Sequence, residues 1–251
     1  MDSTLTRDAF LGGRITLAQP AQGYRAGVDP VLLAASVPAK PGQSVLELGC
    51  GAGTAMFCLA ARVPGLALTG IEVQPAYAAL ARQNAADNGF PAEVITGDLA
   101  QMPEALRARR FDHVLANPPY FDRRAGIAAA QAEREAALGE MTPLEAWVAG
   151  AAKRCAPKGY VSFIHRAERL PELLALISAR LGSVQALPLI PRRGRAARLV
   201  IVRARQGGRT EFRLLDGLVM HEGDTHPGDR ENYSTAMTAI LRHGAALEFP
   251  A

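Results

Sequence analysis

The chain has 251 residues, 49% hydrophobic and 21% charged, enough to bury a large core as one large domain or two small ones. No apolar run approaches the length of a membrane span, and the opening Met1-Asp2-Ser3-Thr4 lacks a basic segment followed by an apolar one, so a soluble cytoplasmic protein is expected. Cys50, Cys58 and Cys155 have no CxxC spacing, which predicts free thiols and neither a disulfide framework nor a structural metal. The formal charge of +4, carried almost wholly by arginine, permits a nucleic-acid partner without requiring one.

In chain order, residues 1–39 are irregular. Leu11-Gly12-Gly13-Arg14 predicts a turn between short extended pieces, the block 23–29 a glycine-rich loop, and 29–35 a helix capped at Asp29-Pro30. We expect this segment to be an extension lying over the open edge of a domain that occupies 40–251. Residues 43–48 predict a buried strand that runs through Gly49-Cys50-Gly51-Ala52-Gly53 into a helix at 54–63. A second strand over 66–71 ends at Glu72, with a helix from Pro75 to a stop at Asn88-Gly89. A third over 92–96 ends at Gly97-Asp98, and a fourth over 111–116 ends at Asn117-Pro118-Pro119-Tyr120.

Residues 122–139 are polar and alanine-rich, and suggest a mobile insertion or helix. A helix over 147–155, a strand over 160–165, a helix over 170–181 and a strand near 184–189 follow. The stretches 197–204 and 210–215 flank Gln206-Gly207-Gly208-Arg209 and predict a hairpin. Alternating strands and helices imply right-handed crossovers and an α/β fold with a mainly parallel sheet covered on both faces, here with an antiparallel edge hairpin.

The glycine loop carries the first chemical signal. Between a strand and a helix, Glu47-x-Gly49-x-Gly51-x-Gly53 lets the backbone approach a ligand closely and presents free N–H groups of the helix start, which suits a nucleotide-derived cofactor. Its spacing is GxGxG and not the GxGxxG of dinucleotide binders. Glu72, with Val73 beside it, ends the second strand, where a carboxylate can accept from both ribose hydroxyls. Asp98, with Leu99, ends the third, within reach of an adenine amine.

The second signal is the tetrapeptide. Proline fixes its own φ and holds the preceding residue extended, so Asn117 and Pro118 are both extended. The Asn117 amide oxygen and the Pro118 carbonyl then offer two acceptors to one NH2, and Tyr120 a flat surface for a planar group. Asn117, Pro118, Pro119 and Tyr120 are accordingly the candidate catalytic set.

With these residues in view, the chain resembles the class I S-adenosylmethionine-dependent methyltransferases that methylate amino groups. The resemblance assigns cofactor binding to Glu47, Gly49, Cys50, Gly51, Gly53, Glu72, Val73, Asp98, Leu99 and Asn117, and implies a Rossmann-like, seven-stranded sheet. Within that class Phe10–Arg14, the block 23–29 and the arginine-rich tail are similar to the bacterial tRNA adenine-N6 methyltransferases, which act on the adenosine 3′ of the anticodon of valine tRNA. Arg192, Arg193, Arg195, Arg198, Arg203 and Arg205, together with Arg123 and Arg124, form the expected RNA-binding set.

Three other substrates or roles fit parts of the same pattern: a glutamine side chain in a translation release factor, a ribosomal RNA guanine, and an RNA-binding module that keeps the fold without catalysis. No metal is expected. In the stretch from His221 to His226 the histidines are five apart and Gly223 breaks a helix, so a surface loop is expected there. His113 and His165, inside apolar strands, are expected to be core residues.

Overall fold

The computed structural model describes residues 5–22, 25–119, 142–223 and 232–249. Tyr120, Arg123, Arg124, the 122–139 stretch, Gly23, Tyr24 and His226 lie outside the described residues.

Strands β1 (Leu5–Phe10) and β2 (Ile15–Pro20) form an antiparallel hairpin through a short 3-10 turn, Leu11–Gly13. Gly12 sits there at φ +68°, and a Cβ on it would lie 2.5 Å from the Arg242 carbonyl oxygen, so both conformation and contact demand glycine. Helix α1 (Asp29–Ser36) follows. Asp29 is its first residue, Val28 its N-cap, and no side chain caps it, so the Asp29-Pro30 start is set by the proline's φ.

Strands and helices then alternate: β3 (Ser44–Leu48), α2 (Thr54–Arg62), β4 (Ala67–Glu72), α3 (Pro75–Asp87), β5 (Ala92–Thr96), the single turn α4 (Glu104–Arg107) and β6 (Phe111–Ala116). After these come α5 (Leu144–Arg154), β7 (Cys155–Arg166), α6 (Leu170–Ser178), β8 (Gly182–Ile190), β9 (Leu199–Arg205), the two-residue strands β10 (Arg213–Leu214) and β11 (Leu218–Val219), and α7 (Thr235–His243). Among the described residues the main sheet runs β10-β8-β9-β7-β6-β3-β4-β5, with β11 also on β8.

Its seven long strands are parallel except β9, which is antiparallel to both β7 and β8. This corrects the expected hairpin across 206–209. The Gly207-Gly208 turn is present, but β9 inserts between β7 and β8, and β10 returns to pair in parallel with β8. Turn chemistry marks a reversal without choosing the partner strand.

Both faces of the sheet are covered, and the alternation of strand side chains shows it. Val45 and Leu115 join a layer of core with α1, α2 and α7, whereas Leu46, Leu48, Val114 and Ala116 join the opposite layer with Trp147, Val148, Leu173 and Ile177. The sheet order reverses between β3 and β6, because β4 and β5 lie to one side of β3 and the later strands beyond β6. In open α/β sheets that switch point is where the loops diverge and leave a crevice.

Candidate active site

Parallel register sets the site. Leu48 pairs with Ala116 and with Ile71, so the residues that follow, Gly49 after β3 and Asn117 after β6, leave adjacent strands at the same end of the sheet. Glu72 closes β4, and Asp98 stands two residues beyond β5 at that same end.

The three loop glycines are there for different reasons. Gly49 has φ +61° and a Cβ would meet the Trp147 ring at 2.4 Å; Gly53 has φ +86° and a Cβ would meet the Phe57 ring at 2.2 Å. Gly51, at φ +52°, has no atom within 4 Å of the position a Cβ would take. Gly49 and Gly53 therefore answer to packing, whereas Gly51 faces open space. The loop is held by Gly53 N–H to the Cys50 carbonyl (2.7 Å) and Cys50 N–H to the Ile71 carbonyl (3.1 Å). Cys50 is buried against the side of β4, where a Cβ on Gly70 would come within 2.7 Å of its sulfur, and burial pushes its thiol well above the usual range.

Two carboxyl groups brace this loop. Glu47, 3% exposed, accepts the Met56 N–H at 2.9 Å, at the start of α2. Burial pushes it up to about 8, with the Glu72 charge adding to the rise, so at neutral pH it chiefly holds its proton. Glu72 accepts the Gly51 N–H through Oε2 at 2.9 Å and the Gln74 N–H through Oε1 at 2.8 Å. Burial raises it too, opposed by those backbone donors. The Val73 N–H adds to these donors, which leaves one of a carboxylate's four acceptor positions. Asp98 is half-buried and accepts the Ala100 N–H at 2.8 Å.

A cleft of about 390 Å³, its mouth included, opens beside the loop. Of the expected residues it gathers Glu47, Gly49, Cys50, Gly51 and Asn117. Gly53, Glu72, Val73, Asp98 and Leu99 are not on its wall: Gly53 turns to Phe57, Glu72 stands behind Gly51, Val73 is 41% exposed, and Leu99 packs against the core under α5. Pro118 is buried and Asn117 half-buried.

The wall also contains residues that the sequence reading did not single out: Gln19, Ala26 and Pro30 from the N-terminal segment, and Tyr77 from α3. Gln19 is 2% exposed; its Nε2 donates to Asp8 Oδ2 at 2.7 Å and its Oε1 accepts the Ala26 N–H at 2.7 Å, while Arg25 reaches Asp8 at 2.9 Å. A glutamine at an inward-facing strand position just before a glycine-rich loop was the available signal.

The arginines separate into groups. Because β8 ends and β9 begins at the carboxyl end of the parallel strands, the 191–198 loop lies on the same side of the sheet as Asn117. Arg193, Arg195 and Arg198 are exposed there and form no ion pair among the described residues. Arg192 instead donates to the carbonyls of Glu222 and Gly223, bracing a neighbouring loop.

Arg203 and Arg205 leave the expected RNA set. Arg203 is 9% exposed, donates to Gln185 Oε1 at 3.0 Å and lies over the Phe249 ring at 4.1 Å, while Arg205 donates to the Lys158 carbonyl at the far end of the sheet. The cause is the insertion of β9 between two strands, which turns its alternate residues into the interior.

His113 and His165 are each 2% exposed, and burial lowers both to about 4. His113 shares a 2.9 Å hydrogen bond with Gln43 Oε1. His221 stacks on Tyr233, with ring centroids 4.9 Å apart. Among the described residues no group of three or more His, Cys, Asp or Glu is placed to hold a metal, and no helix is long and apolar enough to cross a membrane.

Known proteins resemble this chain in sequence and fold. Residues 26–138 match the model of the methyltransferase small domain. A Porphyromonas gingivalis tRNA1(Val) (adenine(37)-N6)-methyltransferase is 32% identical over 72% of this chain and 76% of its own length. Its counterpart in Dickeya chrysanthemi is 26% identical over 95% of this chain and 94% of its own.

Among solved structures, a protein described as a predicted O-methyltransferase from Agrobacterium tumefaciens superposes with a TM-score of 0.70 at 26% identity, over 87% of this chain and 98% of that one. A T. thermophilus 16S rRNA N2 G1207 methyltransferase, at 21% identity and a TM-score of 0.57 over 80% of this chain and 50% of that one, shares the fold. The chain belongs to the class I S-adenosylmethionine-dependent methyltransferases, in the family of the tRNA1(Val) (adenine(37)-N6)-methyltransferases.

Proposed function

We propose that this protein transfers a methyl group from S-adenosylmethionine to N6 of an adenine in tRNA, the adenosine 3′ of the anticodon of valine tRNA. The observation that carries the reading is the juxtaposition of Asn117 with Gly49 and Gly51 on one cleft, at the end of the sheet where Arg193, Arg195 and Arg198 are exposed. A tRNA substrate calls for a cytoplasmic enzyme, with residues 1–39 as a cap on a single domain.

The residues present fit the cofactor. Gly51 leaves open the space a Cβ would fill, α2 begins next to the loop, and Glu72 retains acceptor capacity for ribose hydroxyls. Glu47, Gly49, Cys50 and Gly51 would line it, with Val73, Asp98 and Leu99 toward the adenine. When bound, the cofactor supplies a methyl group activated by a positively charged sulfur.

The chain's own part is alignment and charge placement. An exocyclic amine conjugated to its ring is a weak nucleophile. Acceptance of its two N–H bonds by Asn117 Oδ1 and the Pro118 carbonyl favours a pyramidal nitrogen and stabilises positive charge as the N–C bond forms. No strong base is needed, because the methylated nitrogen is acidic enough to release its proton to water. Gln19, Ala26 and Pro30, which line the cleft, would shield the reacting groups from water on their side. Tyr120, which is outside the described residues, is the ring assigned to stacking on the extruded base, and Arg123, Arg124, Arg193, Arg195 and Arg198 to phosphate contacts.

Mass spectrometry of nucleosides from valine tRNA incubated with cofactor, with and without the protein, tests the reading. The expected product is N6-methyladenosine at the position next to the anticodon. A parallel reaction on a translation release factor with labelled cofactor distinguishes the glutamine substrate, and label found in that protein but not in tRNA overturns the RNA assignment.

A further inference from the structure

We infer that Asn84, on α3, is a positioning residue that sets the width of the cofactor cleft by tying the glycine loop to the N-terminal wall opposite it. The inference rests on the cofactor reading above.

Asn84 is fully buried, and all its side-chain polar atoms have partners on two other segments. Its Oδ1 accepts the Ala18 N–H at 2.8 Å, and its Nδ2 donates to the Ala18 carbonyl and to the Ala52 carbonyl, each at 3.0 Å. Ala52 belongs to the glycine loop and lines the cleft; Ala18 immediately precedes Gln19, which lines the cleft from the other side and holds Ala26 there. Ala18, Ala52 and Leu80 form a small apolar cluster around this junction. One amide therefore joins three segments that converge on one ligand site.

The clamp on β2 has a geometric basis. Asn88, one turn later, repeats the pattern on Thr16: its Oδ1 accepts the Thr16 N–H at 3.1 Å and its Nδ2 donates to the Thr16 carbonyl at 2.9 Å. Residues four apart on a helix are separated by about 6 Å along its axis, and residues two apart on a strand by about 6.6 Å. Two asparagines at that helical spacing can thus pair with alternate residues of a strand edge as a neighbouring strand would. β1 takes the other edge of β2, so the amides complete it.

The two asparagines differ in one respect that isolates the inference. Asn88 makes the same pair of bonds to the hairpin but none to the glycine loop; its remaining bond is to the Asn84 carbonyl of its own helix. A role limited to anchoring the hairpin predicts similar effects at both positions. A role in holding the cleft predicts a cofactor effect at Asn84 only.

The test compares Asn84→Ala and Asn88→Ala with the parent by calorimetric titration of S-adenosylmethionine without RNA, alongside thermal unfolding. We expect Asn84→Ala to weaken cofactor binding at least about tenfold and Asn88→Ala less than about twofold, with comparable losses in Tm. Equal cofactor effects at the two positions overturn the inference.

Should Asn84→Ala fail to fold, hydrogen exchange on the parent decides. Cofactor should slow exchange of the Ala18 amide more than that of Thr16, and an Ala18 amide indifferent to cofactor overturns the inference. A parent that binds no cofactor overturns the functional reading and this inference together. A parent that binds normally, with Asn84→Ala matching Asn88→Ala, overturns the inference alone.

Discussion

At the scale of single residues, Asn117 and Glu47 show how one cleft separates chemistry from support. In the reaction proposed above, Asn117 offers its side-chain carbonyl oxygen to the reacting amine, so its contribution grows as charge develops on nitrogen. Asn117→Ala should leave cofactor affinity nearly intact and lower turnover by about two to three powers of ten, the usual effect of removing one transition-state hydrogen-bonding group. Single-turnover methylation with saturating cofactor checks it, and an equal loss in cofactor affinity would argue for a binding role instead.

Glu47 acts through burial. Its folded-state value of about 8 lies above the ordinary 4.5, so between these values the folded chain holds a proton that the unfolded chain has released. The stability this group allows is fully present below about pH 4.5 and is lost as pH rises toward 8, by up to about 1.4 kcal/mol per pH unit. Glu47→Gln keeps an oxygen for the Met56 N–H but cannot ionise. The variant should therefore gain stability relative to the parent as pH goes from 5 to 8 in urea unfolding. A difference between the two proteins that stays constant with pH would exclude this account.

At the scale of elements, the strand, glycine loop and helix from β3 to α2 were legible in the sequence as a unit, because strand end, glycines and helix start are local signals. What each glycine does was not legible, since the Trp147 ring that crowds Gly49 belongs to a distant helix, and which way the Phe57 ring folds over Gly53 from one turn on is set by packing. Alanine scanning should separate them. Gly53→Ala combines a left-handed φ with a clash and should cost about 2–4 kcal/mol in unfolding experiments. Gly51→Ala should cost about 1–2 kcal/mol for its backbone conformation, but raise the cofactor Kd at least about tenfold, because its new methyl group stands in the cleft. Equal losses of stability with unchanged cofactor binding would contradict the division.

The strand at 199–205 shows the limit at this scale. Its length and the following Gly207-Gly208 turn were readable, and its insertion between β7 and β8 was not. The same insertion removed Arg203 from the surface and stacked it on Phe249, near the end of the chain.

At the scale of the whole molecule, the question is how a chain of modest net charge meets a polyanion. Arg193, Arg195 and Arg198 lie on the Asn117 side of the sheet, whereas Arg203 and Arg205 do not serve that face. Replacing Arg193, Arg195 and Arg198 by alanine should weaken tRNA binding and lower the slope of log K against log salt by about 2–3, because each lost phosphate contact removes most of one released counterion. Cofactor affinity should not change. An unchanged salt slope in filter binding across the same salt range would assign the RNA face elsewhere.

What the sequence by itself determined about this protein is what short-range physics encodes: the alternation of strands and helices, the loop Glu47–Gly53, the acids at strand ends and the rigid Asn117–Pro119 turn. Each follows from dihedral preference or periodicity within a few residues. Only the tertiary structure decided which of those residues share one cleft, that Gln19 and Ala26 line it, that Asn84 bonds to both Ala18 and Ala52, and which arginines are exposed at the Asn117 end of the sheet. The physical reason is that these are contacts between segments far apart in sequence. Packing and register choose them, and no local propensity carries that choice.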